Sequence, residues 1–146
     1  MIDPDVRPAE PADAAQLAWL EAEARATLVA QRGGERWLAT NQARGDEWPA
    51  TIEADPVFVA HIGDVAVGYL VLVVAGPIAR VADVYVTPPA RELGFGDALL
   101  EMAIDRARTD GCELLEGESL PGDRDTKNLY ERAGIKARLI TVSTPL

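Results

Sequence analysis

The stretch TPPARELGFGDALL, residues 87–100, makes a strand end and a helix begin around a pair of glycines. Upstream, IARVADVYV is rich in β-branched residues and reads as a strand, closed by Pro88 and Pro89 because proline cannot donate to a ladder. Downstream, Leu99, Leu100, Ala103, Ile104 and Ala107 share one helical face and Asp97, Glu101, Asp105 and Arg108 the other, so a helix is predicted between Gly94 and Gly111. Two glycines let a backbone come close to a ligand, and the first turn of a helix leaves N–H groups without partners. Together they suit a phosphate. A dinucleotide fold would need a third small residue, where GFGDAL has Leu99, and enough chain afterwards for a second nucleotide-binding half. A P-loop needs a Gly-Lys pair, and the chain has none. A plain strand-to-helix turn, with the glycines there for tightness, is the competing reading.

The rest of the chain limits what can surround this join. Its 146 residues, 48% of them hydrophobic, suffice for one domain over residues 1–146 with a core of its own. A single cysteine, Cys112, excludes an intrachain disulfide and fits a reducing cytoplasm. A net charge of −10 argues against nucleic acid as a partner. No apolar run is long enough to span a membrane, and the first residues have neither the basic nor the apolar part of a signal peptide.

Hydrophobic spacing supplies the element order. A short extended piece around Val6 precedes a helix starting near Pro11, with Leu17, Leu20, Ala24 and Leu28 on its inner face. The glycine- and proline-punctuated segment 32–50 holds one short helix around Trp37 and Leu38, then a loop. VFVAHIGDVAVGYLVLVVAG is two strands turning at Gly63-Asp64. CELLEGESL is a further strand, DRDTKNLYERAG a short helix capped by Asp123 and stopped by Gly134, and IKARLITVST a last strand. The predicted class is α/β, a mixed sheet with helices on its faces.

The pattern Val86-x-Pro88-x-x-Arg91-x-x-Gly94-x-Gly96, with a strand before it and the NLYERAG helix after it, resembles the GNAT superfamily of N-acetyltransferases. The resemblance runs from about Val57 to Ile135 and is weak before Val57. It implies a mixed, mostly antiparallel sheet flanked by helices, and an acetyl-CoA-dependent transfer of an acetyl group to a primary amine with both substrates bound together. No metal is implied, and the acceptor is a small-molecule or peptide amine. Val84, Tyr85 and Val86 would hold the pantetheine arm of coenzyme A. Arg91, Glu92, Leu93, Gly94, Phe95, Gly96 and Asp97 would meet its pyrophosphate, with the Asp97 carboxylate capping the helix, and Asn128 would add a contact. Sheet edges in such folds often pair, which leaves a homodimer open. The chain departs from the family's habits in Asp123, where asparagine is common, in Gly134-Ile135 for Gly-Phe, and in Glu92, whose charge weakens the attraction for phosphate.

By the same resemblance Tyr130 is the general acid for the leaving thiolate; otherwise it is a core residue on a stripe with Thr126 and Ala133. Asp83 leads as general base, with Glu116, Glu118 and a water chain as rivals. Trp37 and Trp48, with Asp46, Glu47, Glu53 and Asp55, would receive a cationic amine, or else be core and surface charge. His61 has no second ligand near it in sequence, and Cys112 reads as buried filler. The alternative to an enzyme is a non-catalytic acyl-CoA-binding sensor or regulatory module.

Overall fold

The structure is a computed structural model that describes residues 4–146. Five strands, β1 (Asp5–Pro8), β2 (Val57–Ile62), β3 (Val65–Ala75), β4 (Ile78–Val86) and β5 (Leu114–Gly117), lie side by side in chain order. Every neighbouring pair is antiparallel except β4 with β5, which are parallel. A parallel pair needs a crossover, and α4 (Phe95–Thr109) supplies it. The helices α1 (Ala14–Leu28), α2 (Gly34–Thr40) and α3 (Trp48–Ala54) come before β2, and α5 (Arg124–Arg132) follows β5.

Alternation along β4 assigns each face of the sheet to its own helices. Val81, Val84 and Val86 join Leu99, Leu100 and Ala103 of α4 and Leu129 and Tyr130 of α5 in one apolar cluster. Tyr85 and Ala82 join Leu17, Leu20 and Ala24 of α1, Trp48 of α3 and Tyr69 of β3 in the other. The first strand is tied down by Arg7, whose guanidinium donates to both carboxylate oxygens of buried Asp13 at 2.8 and 2.9 Å. Buried His61 stands beside this pair rather than alone, its Nε2 3.6 Å from Asp13 Oδ1.

Two expectations are corrected. The loop expected at the end of segment 32–50 gives way at Trp48 to α3, which runs to Ala54. Pro49 acts as a first-turn proline, which a helix tolerates because that N–H has no intrahelical partner. The last strand expected in IKARLITVST does not form, and Leu139, Ile140 and Val142 stand exposed. β propensity is weak without a face to bury.

Candidate active site

Pairing between β4 and β5 begins at Ile78↔Leu114 and stops at Val81↔Gly117. Beyond that point β4 runs on to Val86 without a partner on this side. The two strands therefore form a fork, and the unpaired strand edge of Ala82–Val86 offers backbone donors and acceptors to an extended guest. A bulge marks the same place: Val71 pairs with Asp83 and Leu72 with Val81, so Ala82 is extra on β4. Bulges re-aim side chains beside active sites.

Tyr130 reaches the base of the fork from α5. Its hydroxyl lies so close to Gly117 that a Cβ there would meet the oxygen at 2.2 Å. The hydroxyl is buried and has no hydrogen-bond partner. Burial first, then the negative charges of Asp83, Glu118 and Asp123, push the phenol well above its ordinary value, so it holds its proton. The stripe expected on α5 is corrected: Leu129 and Tyr130 are its buried residues, while Ala133 is exposed. Asp123 caps this helix as expected, accepting from the Thr126 N–H at 3.1 Å and from its hydroxyl at 2.7 Å.

Asp83 stands two residues past the last β4–β5 pair, on the side of the sheet that faces α1. Its Oδ2 accepts from the Tyr69 hydroxyl at 2.8 Å and from Arg44 Nη1 at 3.1 Å. The side chain is 16% exposed. Burial raises its pKa above the usual carboxylate range, outweighing the opposing effects of Tyr69 and Arg44. The rival carboxylates Glu116 and Glu118 are exposed.

At the mouth of α4, Gly94 takes φ 89° and serves as N-cap with no side chain capping the helix. The N–H groups of the first turn, from Phe95 to Asp97, are thus left for another acceptor. Asp97 does not cap, contrary to expectation: its Oδ1 accepts from Arg132 Nε at 3.0 Å, tying α4 to α5. The N-cap role has gone to Gly94, three residues earlier. Arg91 is occupied by the protein itself, donating to the Val86 carbonyl at 3.0 Å and to Asp125 at 2.8 Å. Glu92, Leu93 and Asn128 are exposed, while Val84 and Val86 are half-buried in the α4 cluster. Tyr85 is buried on the opposite face, where its hydroxyl donates to Glu23 at 2.6 Å.

The tryptophans are not assembled with the acidic residues near them in sequence. Trp48 is buried with the Arg44 guanidinium 5.0 Å from its ring centroid, and Arg25 lies 5.9 Å over Trp37. Asp46, Glu47 and Glu53 point to solvent. Cys112 is half-buried at the edge of the α4 cluster, ahead of β5 rather than opening it. Sequence reasoning missed Glu21, Glu23, Arg44 and Tyr69. Only Glu21 left a trace, because it falls on the inner stripe of α1 four residues after Leu17, where a charge is out of place.

The fold and this site can be set beside known proteins. A search of curated sequences finds no match. Solved structures do match. A mutant of the BH1408 protein from Bacillus halodurans aligns with a TM-score of 0.80 at 20% identity, over 100% of this chain and 99% of that one. A ribosomal-protein-alanine N-acetyltransferase from Brucella melitensis biovar Abortus 2308 aligns at 0.74 and 17% identity, over 99% and 100%. The aminoglycoside acetyltransferase AAC(6')-Iy, solved with the bisubstrate analog CoA-S-monomethyl-acetylneamine, aligns at 0.68 and 17%, over 99% and 100%. These likenesses establish the shared mixed-sheet fold. The family model described as Acetyltransferase (GNAT) family matches residues 16–135, most of the chain, and the chain belongs to that family.

Proposed function

We propose that the protein is an acetyl-CoA-dependent N-acetyltransferase that acts by direct transfer to a primary amine on a small molecule or peptide. The observation that carries this reading is the unpartnered, buried Tyr130 hydroxyl at the point where β4 and β5 part. A buried hydroxyl without a partner costs stability. Such a cost is intelligible where the bond is completed only as a thiolate leaves.

The residues fit the donor substrate. Val84–Val86 offer an unpaired strand edge to the pantetheine arm, and the uncapped turn from Gly94 to Asp97 offers N–H groups to the pyrophosphate. Coenzyme A would supply the thioester, an activated acyl group with a thiolate as leaving group. Transfer forms a C–N bond and breaks a C–S bond, so the amine must shed a proton and the sulfur must gain one. The Asp83 carboxylate, when ionised, takes the amine proton, directly or through water. A raised proton affinity makes it a better base once ionised. The Tyr130 hydroxyl gives its proton toward the sulfur and recovers one from solvent afterwards. Holding the partners together at the fork is itself worth ~7–11 kcal/mol of barrier.

Thiol release from acetyl-CoA with a panel of primary amines tests the reading. We expect release with at least one amine. Asp83→Asn should then lower the rate at neutral pH, with partial recovery as pH rises and hydroxide takes over deprotonation. Tight binding of acetyl-CoA with no transfer to any amine would favour a sensor or regulatory module. An Asp83→Asn profile like that of the wild type would move the base to Glu116, Glu118 or water.

A further inference from the structure

The Asp83 carboxylate is held by an assembly that spans three elements and one loop. Glu21 of α1 is buried, although it is charged. Its two oxygens accept from the backbone N–H of Arg44 at 3.0 Å each, and one of them accepts from the N–H of Gly45 at 3.0 Å. A buried carboxylate thus clamps the turn that precedes α3. The same Glu21 accepts from Arg44 Nη1 at 3.0 Å, and this nitrogen also donates to Asp83 Oδ2 at 3.1 Å. Trp48 supports the guanidinium from one face at 5.0 Å, and Trp48 in turn packs edge-on against Tyr69, the other donor to Asp83.

The clamp on the turn needs only the backbone N–H groups of Arg44 and Gly45, and leaves the bond from the Arg44 side chain to Asp83 to be accounted for. A buried ion cluster is often no more stable than apolar side chains of the same volume. What it does achieve is to put one fixed positive charge on the carboxylate that β4 carries two residues past its last pair with β5. We infer that Arg44, clamped by Glu21, is a positioning residue that fixes the Asp83 carboxylate and keeps it ionised until it takes an amine proton. This rests on the reading of Asp83 as base.

The groups that face Asp83 act in opposite directions. Arg44 from the loop and Tyr69 from β3 favour the carboxylate, Glu21 from α1 disfavours it, and burial disfavours it most. Tyr130 from α5 feels its charge without contacting it. Removing Arg44 and neutralising Glu21 must therefore shift Asp83 in opposite senses. A purely structural cluster would show that sign change in the titration but not in the pH profile of turnover.

The test is to titrate the Asp83 carboxylate by carbon-detected NMR in the full chain, with the pH profile of turnover measured alongside. Arg44→Gln should raise the midpoint, by about 1–3 pH units on the usual effect of an adjacent arginine. The acid limb of turnover should rise with it, while KM for acetyl-CoA stays put. Arg44→Lys should restore part of the shift. Glu21→Gln keeps an acceptor for the Gly45 N–H and should lower the midpoint. An unmoved midpoint in Arg44→Gln, with a wild-type melting temperature, would overturn the inference. If Arg44→Gln does not fold, Arg44→Lys and Glu21→Gln decide, and shifts of the same sign in both would overturn it. A midpoint that moves as expected while the turnover limb stays fixed would instead overturn the assignment of Asp83 as base.

Discussion

At the scale of single residues, Gly117 fixes where the Tyr130 ring can lie. The phenol's oxygen, carbon and ring edge would lie 2.2, 2.5 and 2.9 Å from a Cβ on Gly117, so nothing larger than glycine leaves the ring where it is. Gly117→Ala should displace Tyr130 and reduce turnover about as much as Tyr130→Phe does, with binding of acetyl-CoA retained. For Tyr130→Phe we expect a loss of ~10²–10⁴-fold in kcat, the usual worth of general acid catalysis. Cofactor affinity should hold, since the proton is needed only as the thiolate leaves. Equal losses in affinity and turnover would mean that the hydroxyl works in binding. The melting temperature of Tyr130→Phe should not fall, because the hydroxyl it removes has no partner to lose.

Among the elements, the segment from Thr87 to Gly94 joins strand to helix under visible strain. Glu92 takes φ 65°, the one residue other than glycine with a positive φ among those described. The left-handed region costs an ordinary L-residue roughly 1–2 kcal/mol, and the greater freedom of unfolded glycine gives back ~0.5–1 of that. Glu92→Gly should thus stabilise by about 0.5–1 kcal/mol, seen as a small rise in melting temperature. It should also tighten acetyl-CoA, because it removes a carboxylate close to the helix mouth that would meet pyrophosphate. A weaker affinity in this variant would show that the loop's work does not include phosphate. The same segment shows how far the sequence could be read. Its strand and helix were legible because each rests on a local rule, proline ending ladders and apolar residues repeating at helical spacing, whereas the cap expected at Asp97 lies at Gly94. The Glu21–Arg44–Asp83 cluster was not legible, since it joins residues far apart in the chain and no local spacing encodes it. The failed last strand and the missed α3 have a related cause. Both depended on whether a neighbouring face was there to cover an apolar side, which a single segment cannot tell.

Across the whole molecule, one sheet separates two apolar clusters, and β4 contributes to both beside the point where it parts from β5. Tyr130 comes from the α4–α5 side, while Asp83 is held by groups of the α1–α3 side. The acid and base proposed above thus come from different halves of the molecule, and the proposal requires a guest in the fork to reach both. Ligand binding should therefore protect a specific part of the backbone. Amides of Ala82–Val86 and of the first turn of α4, from Phe95 to Asp97, lack partners on the fork side or at the helix mouth. Their hydrogen exchange should slow on addition of acetyl-CoA, as should that of α5, which carries Tyr130. The β1–β2 ladder is already paired and distant in strand order, so its exchange should slow only by the global gain in stability, about 2.7 kcal/mol at a hundredfold excess over Kd. That global term affects only amides that exchange through complete unfolding. The comparison between Ala82–Asp97 and β1–β2 at low denaturant separates it from direct contact. Protection confined to α1–α3, or equal across the sheet, would place the ligand elsewhere than in the fork.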